Sequence, residues 1–120
     1  MIEFAAVLAS LDRLDGDAVL EGVEPHPPVF GAGAGTLIAS DHECIVSSTG
    51  NPGMATGGMG DVLAGLIAGL VAQGESLIDA AQHGVYGHGY AADRAVEYNG
   101  ERGLLATDLM PYLRNWVNNI

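Results

Sequence analysis

The residues best placed to do chemistry lie between Ser48 and Ala72, STGNPGMATGGMGDVLAGLIAGLVA. Thr49, Gly50, Asn51, Pro52 and Gly53 have turn chemistry, mixing residues that accept positive φ with one whose φ is fixed. Thr56-Gly57-Gly58-Met59-Gly60-Asp61 then enters a helical pattern, in which Leu63, Leu66, Ile67, Leu70 and Val71 share one face. The expected object is a glycine-rich loop opening directly onto a helix N-terminus. Such a terminus leaves backbone N–H groups unpaired and carries the positive end of the helix dipole. Glycines let an anion come close to those groups, so phosphate is the expected guest.

Asp61 stands at the mouth of this loop and has two readings. An acid in the first helical turn stabilises the dipole by about 0.3–1 kcal/mol, with no catalytic role. Alternatively, it is a general base beside an anion hole. Gly57, Gly58 and Gly60 would each disfavour a helical start by about 1 kcal/mol if helical. Close approach of the backbone to a ligand is a usual reason to accept that cost.

The string NPGMATGGMGDVLAGLIAGL resembles the signature of the NAD(P)H-hydrate dehydratases, a branch of the ribokinase-like superfamily. The resemblance continues in GAGTLIA (Gly33 to Ala39), GVYGHGYAADRA (Gly84 to Ala95) and GERGLLATDLMPYLR (Gly100 to Arg114), and covers about residues 29–117. It implies repair of hydrated NADH or NADPH, driven by ADP or ATP with Mg2+. It also implies that Gly58-Met59-Gly60-Asp61 is the family Gly-x-Gly-Asp motif, with Asp61 catalytic. Thr56, Gly57, Gly58, Met59 and Gly60 would then meet phosphate, and Asn51 and Asp61 would meet the hydrate. A second phosphate loop is implied at Ala32, Gly33, Ala34, Gly35 and Thr36. The family pattern has Lys where Ala32 stands, which removes a common phosphate-binding charge. A small-alcohol kinase of the same superfamily, or a catalytically silent fragment that binds nucleotide or another chain, are the competing functions. The family domain is about twice as long, so the resemblance places this chain in its C-terminal half.

The 120 residues suffice for one small domain. Gly accounts for 18 residues and aromatics for 6%, so the core must be Ala, Leu, Val and Ile at close backbone spacing. Asp and Glu number 15 against 4 basic residues, all Arg, giving a net charge of −11. That charge argues against nucleic acid or an anionic membrane as partner. It also means that any nucleotide site must rely on local amides. Cys44 is the only cysteine, which excludes an intrachain disulfide. Met1 to Leu14 lacks a basic start, and no apolar run is long enough to span a bilayer, so a cytoplasmic location is expected.

These residues need elements to hold them. Helical periodicity predicts a helix over Met1 to Leu14, a short strand at Ala18 to Val23 and a stiff connector at Pro25 to Pro28. The division is residues 1–28 as a divergent N-terminal helix and connector, and 29–120 as the ribokinase-like portion. Thr36 to Ala39 and Glu43 to Ser47 predict a hairpin over Ser40-Asp41-His42. Gly74 should end the central helix, and Ser76 should cap a helix from Leu77 to about Tyr98. Asn99-Gly100 is a turn signal, and Thr107 and Asp108 open a last helix with Leu109, Leu113, Trp116 and Val117 as its stripe. His83 and His88 are five apart, out of helical register for a metal pair, and are expected to be satisfied packing residues. The fold class is α/β: part of a ribokinase-like α/β/α sandwich, a hairpin followed by three helices. Half a sheet leaves an open edge, so a homo-oligomer is expected.

Overall fold

The computed structural model describes residues 36–39 and 44–120. Strands β1 (Leu37–Ala39) and β2 (Cys44–Val46) pair antiparallel, with Ile38 opposite Ile45. One further bond, Ser47 N–H to the Thr36 carbonyl at 2.7 Å, carries the ladder past the strand ends. Both strands are a little shorter than predicted. The turn at Ser40 to His42, the Met1 to Leu14 helix, the Ala18 to Val23 strand and the connector lie outside the described residues.

A 3-10 turn at Pro52–Met54 leads to helix α1 (Met59–Ala72). Its end has a local cause: Gly74, at φ 103°, lets its own N–H reach the Val71 carbonyl and the Glu75 N–H reach the Leu70 carbonyl. This closes the orphan carbonyls of the last turn. Two residues later Ser76 caps helix α2 (Leu77–Asn99), its Oγ accepting from the Asp79 N–H at 3.2 Å. α2 stops at Gly100, as Asn99-Gly100 predicts. Thr107 and Asp108 fall in a second 3-10 turn, Ala106–Leu109, rather than in the helix proper. Asp108 fixes that turn by accepting the Leu105 N–H at 2.9 Å, and helix α3 (Met110–Val117) follows with Pro111 in its first turn.

α2 is the spine. Its Ala80, Ala81 and Val85 pack with Ile38 of the sheet and with Leu63, Ile67 and Leu70 of α1. Its Ala91 and Ala92 pack with Met54, Met59, Leu104, Leu109 and Leu113 in a second cluster. Small residues set the spacing: a Cβ at Gly84 would lie 2.5 Å from Ile67 Cγ1, and one at Gly87 would lie 2.5 Å from Trp116 Cε3. Trp116, one of the predicted stripe of the last helix, thus packs directly against α2 at Gly87.

Candidate functional site

The site is built on the turn between β2 and α1, which α2 holds from below. The Gly50 N–H donates to Asp93 Oδ2 and the Asn51 Nδ2 to Asp93 Oδ1, both at 2.9 Å. Asn51 Oδ1 then accepts the Gly53 N–H at 3.0 Å, which sets the 3-10 turn. Thr49 Oγ1 donates to the Tyr86 carbonyl at 2.9 Å. A side chain at Gly89 would collide with Thr49, so glycine there lets the turn lie directly on the helix. Asn51 is 8% exposed, with its side chain engaged at both ends.

From this anchored turn the chain passes through Thr56 and Gly57 to Gly58, the N-cap of α1. Gly58 has φ 88°, a left-handed conformation that suits glycine, and no side chain caps the helix. Here the structure departs from the expected cost of the glycines: Gly57 and Gly58 lie outside the helix, and only Gly60 is helical. The Met59, Gly60 and Asp61 N–H groups have no intrahelical acceptor. Gly57 and Gly60 are exposed, and a Cβ at either would meet nothing within 4 Å. Among the described residues nothing crowds the helix start at Gly57 and Gly60, and unpaired amides at such a terminus suit an anion such as a phosphate. Met59 as a whole is 2% exposed and packs into the second core cluster, so its side chain takes no part in the site.

Asp61 is exposed in the first turn of α1, and among the described residues no side chain pairs with it. It also lies at one end of an apolar groove of about 530 Å³ between α1 and α3, floored by Val62, Leu66 and Leu113, with Arg114 among its walls. Thr36 is 7% exposed at the head of β1. Ala32, Gly33, Ala34 and Gly35 lie outside the described residues. Among the described residues no group of three His, Cys, Asp or Glu side chains could hold a metal ion. No helix among them is long and apolar enough to cross a membrane.

The family model for NAD(P)H-hydrate dehydratases matches residues 28–115. The chain belongs to this family. The bifunctional NAD(P)H-hydrate repair enzyme Nnr of Coxiella burnetii is 63% identical over 116 residues, which cover 96% of this chain and 22% of that enzyme. The ADP-dependent (S)-NAD(P)H-hydrate dehydratase of Neisseria meningitidis serogroup B is 46% identical over 98 residues, 76% of this chain and 33% of that one. The ADP/ATP-dependent NAD(P)H-hydrate dehydratase of Bacillus subtilis, co-crystallised with ATP/Mg2+, superposes with TM-score 0.68 at 31% identity, over 75% of this chain and 34% of its own. The fold is thus part of the dehydratase α/β fold, and the chain spans about a fifth to a third of the length of these relatives.

Two residues beside this candidate site differ from the sequence reading, which gave Asp93 no role and His88 a packing one. Asp93 sits inside the quoted motif Gly84 to Ala95, yet its partners are 42 and 43 residues away, beyond any local signal. His88 corrects the expectation of a satisfied packing histidine: it is 2% exposed, and among the described residues its Nε2 has no hydrogen-bond partner. Burial pushes its pKa down to about 4, against a smaller upward pull from a hydrogen bond to the Met59 backbone. His83 is satisfied but not packed: it is exposed, with Nδ1 2.8 Å from Glu75 Oε2.

Proposed function

We propose that this chain supplies the phosphate-handling portion of an ADP- or ATP-driven dehydration of hydrated NADH and NADPH. The observation that carries the proposal is the uncapped, open N-terminus of α1 with Asp61 in its first turn. Residues Gly57 to Gly60 line that terminus with backbone rather than side chains, which suits close contact with a phosphate.

In this reading Asp61 accepts the proton of the hydrate hydroxyl as that oxygen attacks the terminal phosphorus. The bond from phosphorus to the nucleotide breaks, and the nucleotide leaves one phosphate shorter. The amides of Gly57 to Gly60 stabilise the charge on the transferring group. The phosphorylated hydrate then eliminates phosphate: the C–O electrons leave with it, the neighbouring ring carbon gives up a proton to water, and its C–H electrons become the ring double bond. Mg2+ would be held chiefly by the nucleotide's own phosphates, as suits an ion that keeps several of its waters. Asn51 would meet the substrate only at the edge of the turn it stabilises.

A second reading, a nucleotide-binding chain without turnover, is favoured by Ala32 in place of the family lysine. Loss of hydrated NADH and NADPH is to be followed with ADP and with ATP, for the wild-type chain and Asp61→Asn. Turnover that falls roughly 10²–10⁴-fold in Asp61→Asn, with nucleotide binding retained, is the expected result. Wild-type nucleotide binding with no turnover would replace the enzyme reading by the silent one. Accumulation of a phosphorylated alcohol from another substrate would point to a kinase.

A further inference from the structure

Asp93 lies on α2, outside the stretch that meets phosphate in the reading above, yet its carboxylate decides how the chain enters that stretch. Both of its oxygens accept: Oδ2 takes the Gly50 N–H and Oδ1 the Asn51 Nδ2, each at 2.9 Å. A carboxylate can only accept, so it forces the Asn51 amide to present its nitrogen to α2. The amide oxygen is then turned the other way, where it accepts the Gly53 N–H at 3.0 Å. A flipped amide would set oxygen against oxygen at Asp93 and N–H against N–H at Gly53. Asn51 is buried, so water gives little relief from that mismatch.

The orientation of Asn51 is passed along the backbone. Its carbonyl accepts the Met54 N–H at 3.1 Å, the Pro52 carbonyl accepts the Ala55 N–H at 3.2 Å, and the Met54 carbonyl accepts the Thr56 N–H at 2.9 Å. These bonds close consecutive tight turns from Asn51 to Thr56, and the chain then runs through Gly57 to Gly58, the N-cap of α1. Met59, buried in the second core cluster, fixes the far end. A change in the Asn51 turn is therefore absorbed by the loop between, where a Cβ on Gly57 would meet nothing within 4 Å.

We propose that Asp93 is a positioning residue for the phosphate site: by fixing the Asn51 amide it sets the path of the loop that brings Gly57 and Gly58 to the start of α1. The proposal rests on the nucleotide reading above. What matters in it is which side chain donates and which accepts, so the two residues should be able to exchange roles. In the pair Asn51→Asp/Asp93→Asn, position 51 offers one carboxylate oxygen to the Gly53 N–H and the other to the amide nitrogen at position 93. The amide oxygen at position 93 accepts the Gly50 N–H, and every donor again meets an acceptor. Either substitution alone fails. Asn51→Asp sets two carboxylates face to face, and Asp93→Asn leaves a donor against a donor.

The test uses the full chain, labelled with 15N, as wild type, Asp93→Asn, Asn51→Asp and the exchanged pair. The Gly50 and Gly53 amide signals report the network in the free protein. ADP is then titrated well below the melting temperature of each variant, so that the folded fraction does not limit binding. ADP is the probe because Asn51, in the reading above, faces the hydrate and not the nucleotide. Asp93→Asn should move the Gly53 signal and weaken ADP binding roughly tenfold, the worth of one hydrogen bond to a charged group. Asn51→Asp should lose more, in melting temperature as well as affinity. The exchanged pair should recover most of both, although it carries both substitutions. Unchanged ADP affinity in Asp93→Asn would overturn the proposal and leave Asp93 a purely structural residue. So would an exchanged pair whose losses are the sum of the two single ones. A wild-type chain that binds no ADP would remove the nucleotide reading and the positioning role with it, whereas wild-type binding that survives Asp93→Asn unchanged would remove only the latter.

Discussion

Asp93 and Gly50 are 43 residues apart in sequence and joined by a 2.9 Å hydrogen bond, the Gly50 N–H donating to Oδ2. The same carboxylate takes the Asn51 side chain on its other oxygen, so one group on α2 sets the whole turn before α1. Asp93→Ala should destabilise the chain by about 2 kcal/mol, the loss of two hydrogen bonds to a charged acceptor. Asp93→Asn should cost less, since one oxygen remains to accept. Urea midpoints measure both. An Asp93→Ala midpoint equal to wild type would mean that the turn holds itself.

His88 makes stability depend on pH in a defined window. In the unfolded chain it titrates near 6.5, and in the fold at about 4, chiefly because burial disfavours the charged ring. Between those values the unfolded state binds more protons, so stability rises with pH. The contribution is complete above about pH 6.5 and is lost as pH falls towards 4, up to about 3 kcal/mol in all. Carboxylates add their own acid dependence, so the quantity to measure is the difference between wild type and His88→Leu. That difference should favour the variant increasingly below pH 6.5, and a constant offset from pH 7 to pH 4.5 would contradict the assignment.

Two glycine substitutions should have opposite signs. Gly87→Ala drives a methyl group into the Trp116 ring, and should destabilise by about 1–3 kcal/mol. Gly69→Ala in α1 meets nothing within 4 Å, and should stabilise by roughly 0.5–1 kcal/mol through helix propensity. Thermal melts of the pair provide the check. Equal behaviour would mean that the helix contacts relax freely.

Ala32→Lys restores the charge that the family resemblance expects in the second phosphate loop. It should lower the nucleotide dissociation constant, more strongly at low salt, where the new charge is less screened. Titration at two ionic strengths decides it, and an unchanged constant at both would place this loop away from phosphate.

The helices were legible because their signals are local. Ser76 and Gly74 mark two helix ends within a few residues, and the stripe Leu63, Ile67, Leu70 names the buried face of α1 directly. The burial of His88 could have been read from its register with Ala81, Val85 and Ala92 on α2. Its unpartnered nitrogen could not, because that depends on what surrounds the ring in space. Gly58 shows a subtler limit. Its helix propensity suggested a penalty, whereas its left-handed backbone makes glycine the favourable residue there. The pairing of Asp93 with Gly50 and Asn51 was invisible for a different reason: nothing in either segment encodes a partner more than forty residues away.

The order in which the chain assembles follows from those separations. α1 and α2 are joined by a short turn from Gln73 to Ser76, so their packing closes a small loop at modest entropic cost. The Thr49-to-Asn51 turn reaches α2 only across 37 to 43 residues, at Tyr86 and Asp93. Local contacts form ahead of distant ones when topology sets the pace. The helical hairpin would therefore serve as the template, and the Thr49-to-Asn51 turn would lock onto it late. By the same token that turn would be the first part to detach under mild denaturant, and a ligand bound at the adjoining start of α1 would act as a latch on the most weakly held stretch of the fold.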